Sequence, residues 1–146
     1  MTDSGALHQI LLVDDDGVDR QHIRRILAPI QGIEITEAHS GEHAMQILQS
    51  LDPALVITDI FMPNLDGLEF LTKLATTGWT FPVIAITGLN DSHHIDFLKV
   101  AQSFGAVHSM NKDEMGEKLV PVVREILNQS HKEDKDKDDI KNRPFP

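Results

Sequence analysis

Ile10-Leu11-Leu12-Val13 is an unbroken apolar run closed by Asp14-Asp15-Asp16. A short run with no polar alternation offers no face to water, so it reads as a strand buried on both sides, and the aspartates end it. The next stretch is amphipathic: Val18, Ile23, Ile26 and Leu27 fall roughly on one helical face, and Pro29 and Gly32 stop the pattern. The same unit then returns along the chain. Ile33–Thr36 alternates as a strand, and Ser40 is placed to cap a helix carrying Ala44, Met45, Ile47, Leu48 and Leu51. Ala54–Thr58 is a third strand stopping at Asp59, with Asp66 as the cap of a helix holding Leu68, Phe70, Leu71 and Leu74. Pro82–Ile86 ends at Thr87-Gly88, and a helix with Ile95, Phe97, Leu98 and Ala101 runs to Gly105. Ala106–Met110 ends at Asn111-Lys112, and a last helix carries Met115, Leu119, Val122, Val123, Ile126 and Leu127, with Pro121 either kinking it or marking its start.

Five strand-helix units in succession, with apolar strands, imply an α/β fold: a (βα)5 doubly wound parallel sheet with helices on both faces. The 146 residues suffice for one such domain. We divide the chain into an N-terminal extension (1–9), one folded domain (10–128) and a polar, mixed-charge tail (129–146) expected to be disordered. Asp134, Asp136 and Asp138 resemble a calcium loop faintly, but Asp139 stands where that loop needs glycine and no glutamate closes it.

The chain has no cysteine, which excludes disulfides, thiolate catalysis and cysteine metal sites. Its net charge is -10 at pH 7, all of it within residues 1–128. An acidic body repels phosphate backbones and anionic lipid, so neither nucleic acid nor a membrane is expected as a partner. The N-terminus is not a signal peptide and no apolar run is long enough to span a bilayer, so the expected location is cytoplasmic.

Ligands of an open parallel sheet bind beyond the carboxyl ends of its strands. At those ends stand Asp14 and Asp15, then Asp59, then Thr87 with Gly88, then Lys112. Carboxylates packed together repel one another, and a hard divalent cation such as Mg²⁺ relieves this with a few carboxylates plus water. Lys112 supplies a positive charge and Thr87 a hydroxyl donor for phosphoryl oxygens, and one carboxylate could accept the phosphoryl group as an acyl phosphate. Any one of these acids alone reads as a cap or a solvated loop residue, as Asp16 and Asp19 do here. Their coincidence at four strand ends is what points to a site. His39 and His43 read as surface residues, since Ser40-Gly41 interrupts their spacing, and His93-His94 as the first turn of a solvated helix. Trp79 reads as a loop anchor, and Met62 and Met115 as packing residues.

The segments ILLVDDD (10–16), LVITDIFMPNLDG (55–67), VIAITG (83–88) and GAVHSMNK (105–112) resemble, in order and spacing, the receiver domain of bacterial two-component response regulators over about residues 9–128. The resemblance implies a flavodoxin-like sheet of strand order 2-1-3-4-5. It implies Asp59 as phosphoryl acceptor, fed by a histidine kinase or histidine phosphotransfer protein. It implies Mg²⁺ held directly by Asp15 and Asp59, by Asp14 partly through water, and by the backbone carbonyl of Phe61. Thr87 and Lys112 would contact the phosphoryl oxygens and couple the site to a distal surface.

Three positions depart from that pattern. Asp113 follows the site lysine, where many receivers have proline, often after a cis bond. Ser109 stands where a switching Tyr or Phe is common. Phe61, two residues after Asp59, is bulky enough to restrict water, or else packs against the next helix. The expected function is a stand-alone phosphoacceptor that signals to an unidentified downstream protein by contact. The alternative is a receiver-fold adaptor working without phosphorylation, which Ser109 and Asp113 favour and the intact set of Asp14, Asp15, Asp59, Thr87 and Lys112 opposes. A phosphohydrolase is weaker still, because such enzymes place a second acid where Phe61 stands.

Overall fold

The structure is a computed structural model and describes residues 6–62, 66–88 and 97–141. Its elements run β1 (His8–Val13), α1 (Gly17–Leu27), β2 (Ile33–Ala38), α2 (Gly41–Ile47), β3 (Leu55–Asp59), α3 (Asp66–Thr77), β4 (Val83–Thr87), α4 (Phe97–Ser103), β5 (His108–Asn111), a 3-10 turn (Lys112–Glu114) and α5 (Met115–Lys141). The strands form one parallel sheet in the order 2-1-3-4-5. His93, His94 and Ile95 lie outside the described residues.

Side chains of a strand alternate between faces, and both faces here are apolar. Leu11, Val13, Val56 and Ala85 point to one side and pack with Ala44 of α2 and Leu48 just after it, Phe70, Leu71 and Leu74 of α3, and Ala101 of α4. Ile10, Leu12, Ile57, Ile84 and Ile86 point to the other, against Ile23 and Leu27 of α1 and Met115, Leu119, Val123 and Ile126 of α5. Fully burying each such Leu, Ile or Phe contributes about 1.5–3 kcal/mol, so the two layers hold the sheet rigid from both sides.

The helix ends follow local chemistry. Asp16 accepts from the Val18 N–H at the start of α1 at 2.8 Å, and Ser40 accepts from the His43 N–H at 3.0 Å. Past α4, the Ala106 N–H reaches the Ala101 carbonyl at 3.1 Å and the Gly105 N–H reaches Gln102 at 3.0 Å. That paired closure needs a left-handed residue, and Gly105 supplies it at φ 106°.

Several expectations change. Val18 is 73% exposed, because the first turn of α1 stands beyond the end of the sheet rather than over it. Asp66 is the first residue of α3 and not its cap. β1 starts at His8, inside the stretch read as an extension, because His8 pairs with Ile33 of β2. α5 begins at Met115 with Pro121 inside it, so the proline does not mark its start. The backbone of α5 also continues to Lys141, where a disordered tail was expected; Gln129, Glu133 and four lysines of that stretch favour helix, against four aspartates that do not.

Gly116 lies in the first turn of α5, and a Cβ built there meets nothing within 4 Å. Gly116→Ala is therefore expected to raise stability by about 0.5–1 kcal/mol through helix propensity, read from the urea midpoint.

Candidate functional site

The sheet register assembles the site. Val13 pairs with Thr58, so the next residues, Asp14 and Asp59, emerge side by side at the central rim. Asp59 pairs with Ile86 and Thr87 with Asn111, which carries Thr87 and Lys112 to the same edge. Asp14 is 1% exposed, Asp59 5% and Thr87 1%. Asp15 turns outward and is exposed. Carboxylate oxygens of Asp14, Asp15 and Asp59 lie within 4.8 Å of one another.

Lys112 ties the group together. Its Nζ donates to Asp59 Oδ2 at 3.0 Å, Asp14 Oδ2 at 3.1 Å and Asp19 Oδ2 at 2.6 Å. Its aliphatic stem passes Gly88, where an added Cβ would sit 3.4 Å from Lys112 Cδ. Asp14 Oδ1 accepts from the Asp16 N–H, and Asp59 Oδ1 from the Phe61 N–H, both at 2.9 Å. The Phe61 backbone is thereby fixed beside Asp59, while its side chain is 43% exposed at the rim.

Burial raises the Asp14 carboxyl to about 6, with the charge of Asp59 adding to it and the Asp16 N–H and Lys112 opposing it. Burial also raises Asp59, against the Phe61 N–H and Lys112. For Lys112, burial works against the ammonium, but the hydrogen bond to Asp19 and the charges of Asp59 and Asp14 outweigh it and hold its pKa above the ordinary value. The site therefore gathers more negative charge than one ammonium balances. Oxygen donors of this kind and number suit a small hard cation that keeps part of its water, as Mg²⁺ does.

Asp19 corrects the sequence reading, which left it a cap or solvated residue. The first turn of α1 rises directly over the rim, and that turn brings Asp19 onto Lys112. Its place just after the rim aspartates was the available signal. Arg20 and Glu37 were missed altogether. Arg20 Nη1 donates to the Asp14 carbonyl at 2.6 Å and its Nε to Glu37 at 2.8 Å, while Arg24 Nε also reaches Glu37 and its Nη2 the Ile35 carbonyl. These bonds tie the loop carrying Asp14 to the end of β2. No sequence pattern distinguishes such a pair from surface charges.

The Lys112–Asp113 bond is trans, since no described peptide bond is cis. The chain enters a 3-10 turn at Lys112 instead, with Glu114 accepting from the Asn111 amide at 2.9 Å. Ser109 accepts from Gln102 Nε2 of α4 at 3.0 Å. His39 and His43 stack at 4.2 Å, and the His39 N–H donates to His43 Nδ1 at 3.2 Å. Among the described residues only the three aspartates form a metal-capable group. Met62 and Met115 are buried, as expected. A groove of about 710 Å³ lies at the other end of the sheet, lined by Leu7, Pro53, Trp79, Phe81 and Val107, and is remote from the carboxylates. Trp79 packs there on Phe81 with ring centroids 5.7 Å apart.

Residues 10–124 match the family model of the response regulator receiver domain. The chain belongs to the response regulator receiver domain family. Over 127 residues it is 32% identical to the response regulator MprA of Mycobacterium avium, covering 86% of this chain and 54% of that protein. Over 121 residues it is 32% identical to protein-glutamate methylesterase/protein-glutamine glutaminase 3 of Rhodospirillum rubrum, covering 82% of this chain and 32% of that one. The crystal structure of a putative response regulator from Chloroflexus aurantiacus aligns with TM-score 0.73 at 27% identity, covering 84% of this chain and 98% of that chain. This receiver thus spans about half or less of the curated relatives it matches. Receiver domains of response regulators are phosphoacceptors of two-component signalling, and this chain has the family's fold. None of its described helices is long and apolar enough to cross a membrane.

Proposed function

We propose that this receiver takes a phosphoryl group from a histidine kinase or histidine phosphotransfer protein onto Asp59 and signals by contact with a downstream protein. The observation that carries the reading is the buried Asp59 carboxylate at a strand end, between Asp14 and the Lys112 ammonium. Mg²⁺ would be held by Asp14, Asp15, Asp59 and the Phe61 carbonyl, and when bound it neutralises the carboxylates and the arriving phosphoryl oxygens. An Asp59 oxygen attacks phosphorus, the bond from phosphorus to the donor imidazole nitrogen breaks, and the electron pair leaves with the imidazole. The ammonium of Lys112 attracts the equatorial oxygens and the Thr87 hydroxyl donates to one. The Phe61 N–H keeps the carboxylate oriented through Asp59 Oδ1. With Ser109 in β5 and no tyrosine in the chain, output at that position runs without a ring swing, and the Gln102–Ser109 bond is the contact that can shift. The role is that of a signalling phosphoacceptor rather than a turnover enzyme.

The test is intact-protein mass after incubation with acetyl phosphate, with and without Mg²⁺, for the native chain and Asp59→Asn. A gain of one phosphoryl group requiring both Mg²⁺ and Asp59 is expected. A gain that persists in Asp59→Asn means the acceptor is another residue. No gain under conditions that bind Mg²⁺, repeated with a phosphorylated histidine donor, favours the phosphorylation-independent adaptor.

A further inference from the structure

An ammonium has three N–H donors, and Lys112 meets three carboxylates with them. Two of those partners, Asp14 and Asp59, belong to the group that would hold the cation. The third, Asp19, does not, yet it makes the shortest contact of the three. Its carboxylate comes from α1 rather than from a strand end, and its side chain is 33% exposed against 1% for Asp14 and 4% for Asp59. A divalent ion seated among Asp14, Asp15 and Asp59 competes with the ammonium for Asp14 Oδ2 and Asp59 Oδ2. Without another partner, Lys112 must either oppose the ion or leave the site.

We infer that Asp19 is a positioning residue, which receives Lys112 when a divalent cation takes the other two carboxylates and so keeps the ammonium at the rim without opposing the ion. The inference rests on the metal reading above and concerns how the metal is admitted. Asp19 acts through Lys112, not by touching the ion. Its carboxylate shares the ammonium with Asp59, so it helps set where Lys112 Nζ sits relative to the acceptor.

Isothermal titration with MgCl₂ alone, with no phosphoryl donor, tests this as a cycle of Asp19→Asn and Lys112→Met. Asp19→Asn is expected to weaken magnesium binding about ten-fold in the native background, the size of one hydrogen bond between charged groups. In the Lys112→Met background the same change is expected to weaken it less than about two-fold, because the lysine it acts through is gone. Equal factors in the two backgrounds would mean that Asp19 acts on the ion by direct charge, and this overturns the inference. So does an Asp19→Asn chain that binds magnesium like the native one. Should Lys112→Met not fold, the Lys112 Nζ resonance decides with the lysine in place. Its ammonium protons are expected to stay protected from solvent exchange in the magnesium-bound native chain and to lose protection in Asp19→Asn, and equal protection in the two overturns the inference. A native chain that takes up no magnesium removes the metal reading and the inference with it. A normal cycle in a chain that accepts no phosphoryl group sinks the phosphoacceptor reading and leaves the role of Asp19 standing.

Discussion

Gly67→Ala is expected to lower stability by about 3 kcal/mol, the upper end of the cost of overpacking a core, and to cost the Asp59 site its geometry. Gly67 is buried in the first turn of α3. A Cβ there would lie 2.3 Å from the Asp59 carbonyl oxygen, 2.5 Å from Ile60 Cα and 2.7 Å from the Ile60 carbonyl carbon. These are backbone atoms, with no flexible side-chain end to give way. Either α3 moves off the sheet, opening the layer of Phe70, Leu71 and Leu74, or the end of β3 moves and takes Asp59 out of register with Asp14. Glycine is required here for close approach and not for an unusual φ. Urea unfolding measures the stability loss, and magnesium titration of the surviving folded chain reads the site. Unchanged values in both would mean that the contact relaxes at no cost. Gly116→Ala, which meets no neighbour, is the control of opposite sign.

Lys112→Met is expected to destabilise the metal-free protein by about 3 kcal/mol at neutral pH, because it leaves the buried Asp14 and Asp59 carboxylates facing each other without a cation. The pH dependence comes from the shifts of the partners. The pKa of Lys112 is raised, so the stability it contributes is whole below lysine's ordinary pKa of about 10.4 and is lost only as pH rises through the folded value. The limit on the acid side comes from the carboxylates. Asp14 takes up its proton as pH falls through about 6, Lys112 then loses a charged partner, and the gap between native and variant narrows. For Asp14 itself the sign is opposite to that of an ordinary salt-bridged acid. Its folded pKa lies above the unfolded value, so its burial lowers stability as pH climbs from about 4 through 6. Urea midpoints at about pH 7 and about pH 4.5 for both chains give the comparison. Saturating Mg²⁺ is expected to close much of the gap at neutral pH, since the ion supplies the missing positive charge and binds only the folded state. A gap that stays constant between the two pH values would mean that Lys112 contributes by packing its stem on Gly88 and not by charge.

Strand existence and the strand-end residues were legible in the chain because each depends on neighbours in sequence. Ile10–Val13 has no polar position, so it had to be covered on both faces, and Asp14 comes directly after it. Ser40 and Asp16 cap by reaching their own next turn, and Gly105 closes α4 through its own φ. Where the reading failed, the deciding contact came from elsewhere in the chain. Val18 fits an apolar helical face, but periodicity does not tell where the sheet ends, and α1 starts beyond that edge. The continuation of α5 to Lys141 is a local exception, because lysines along 129–141 favour helix and polarity alone does not exclude it.

The order of apolar runs, caps and glycines determined by itself that this chain folds as five β-α units with Asp14, Asp15, Asp59, Thr87 and Lys112 at one rim. Only the tertiary structure decided what those residues do to one another. Lys112 is 93 residues from Asp19, and no local pattern reports that the first turn of α1 comes within reach of the Lys112 ammonium. Burial of Asp14 and Asp59 depends on two helical layers closing over a sheet, and that burial raises their carboxyls and makes a cation welcome. The chain sets which groups arrive at the rim, while the packing sets their distances and their solvent, and in electrostatics those two quantities determine the energy.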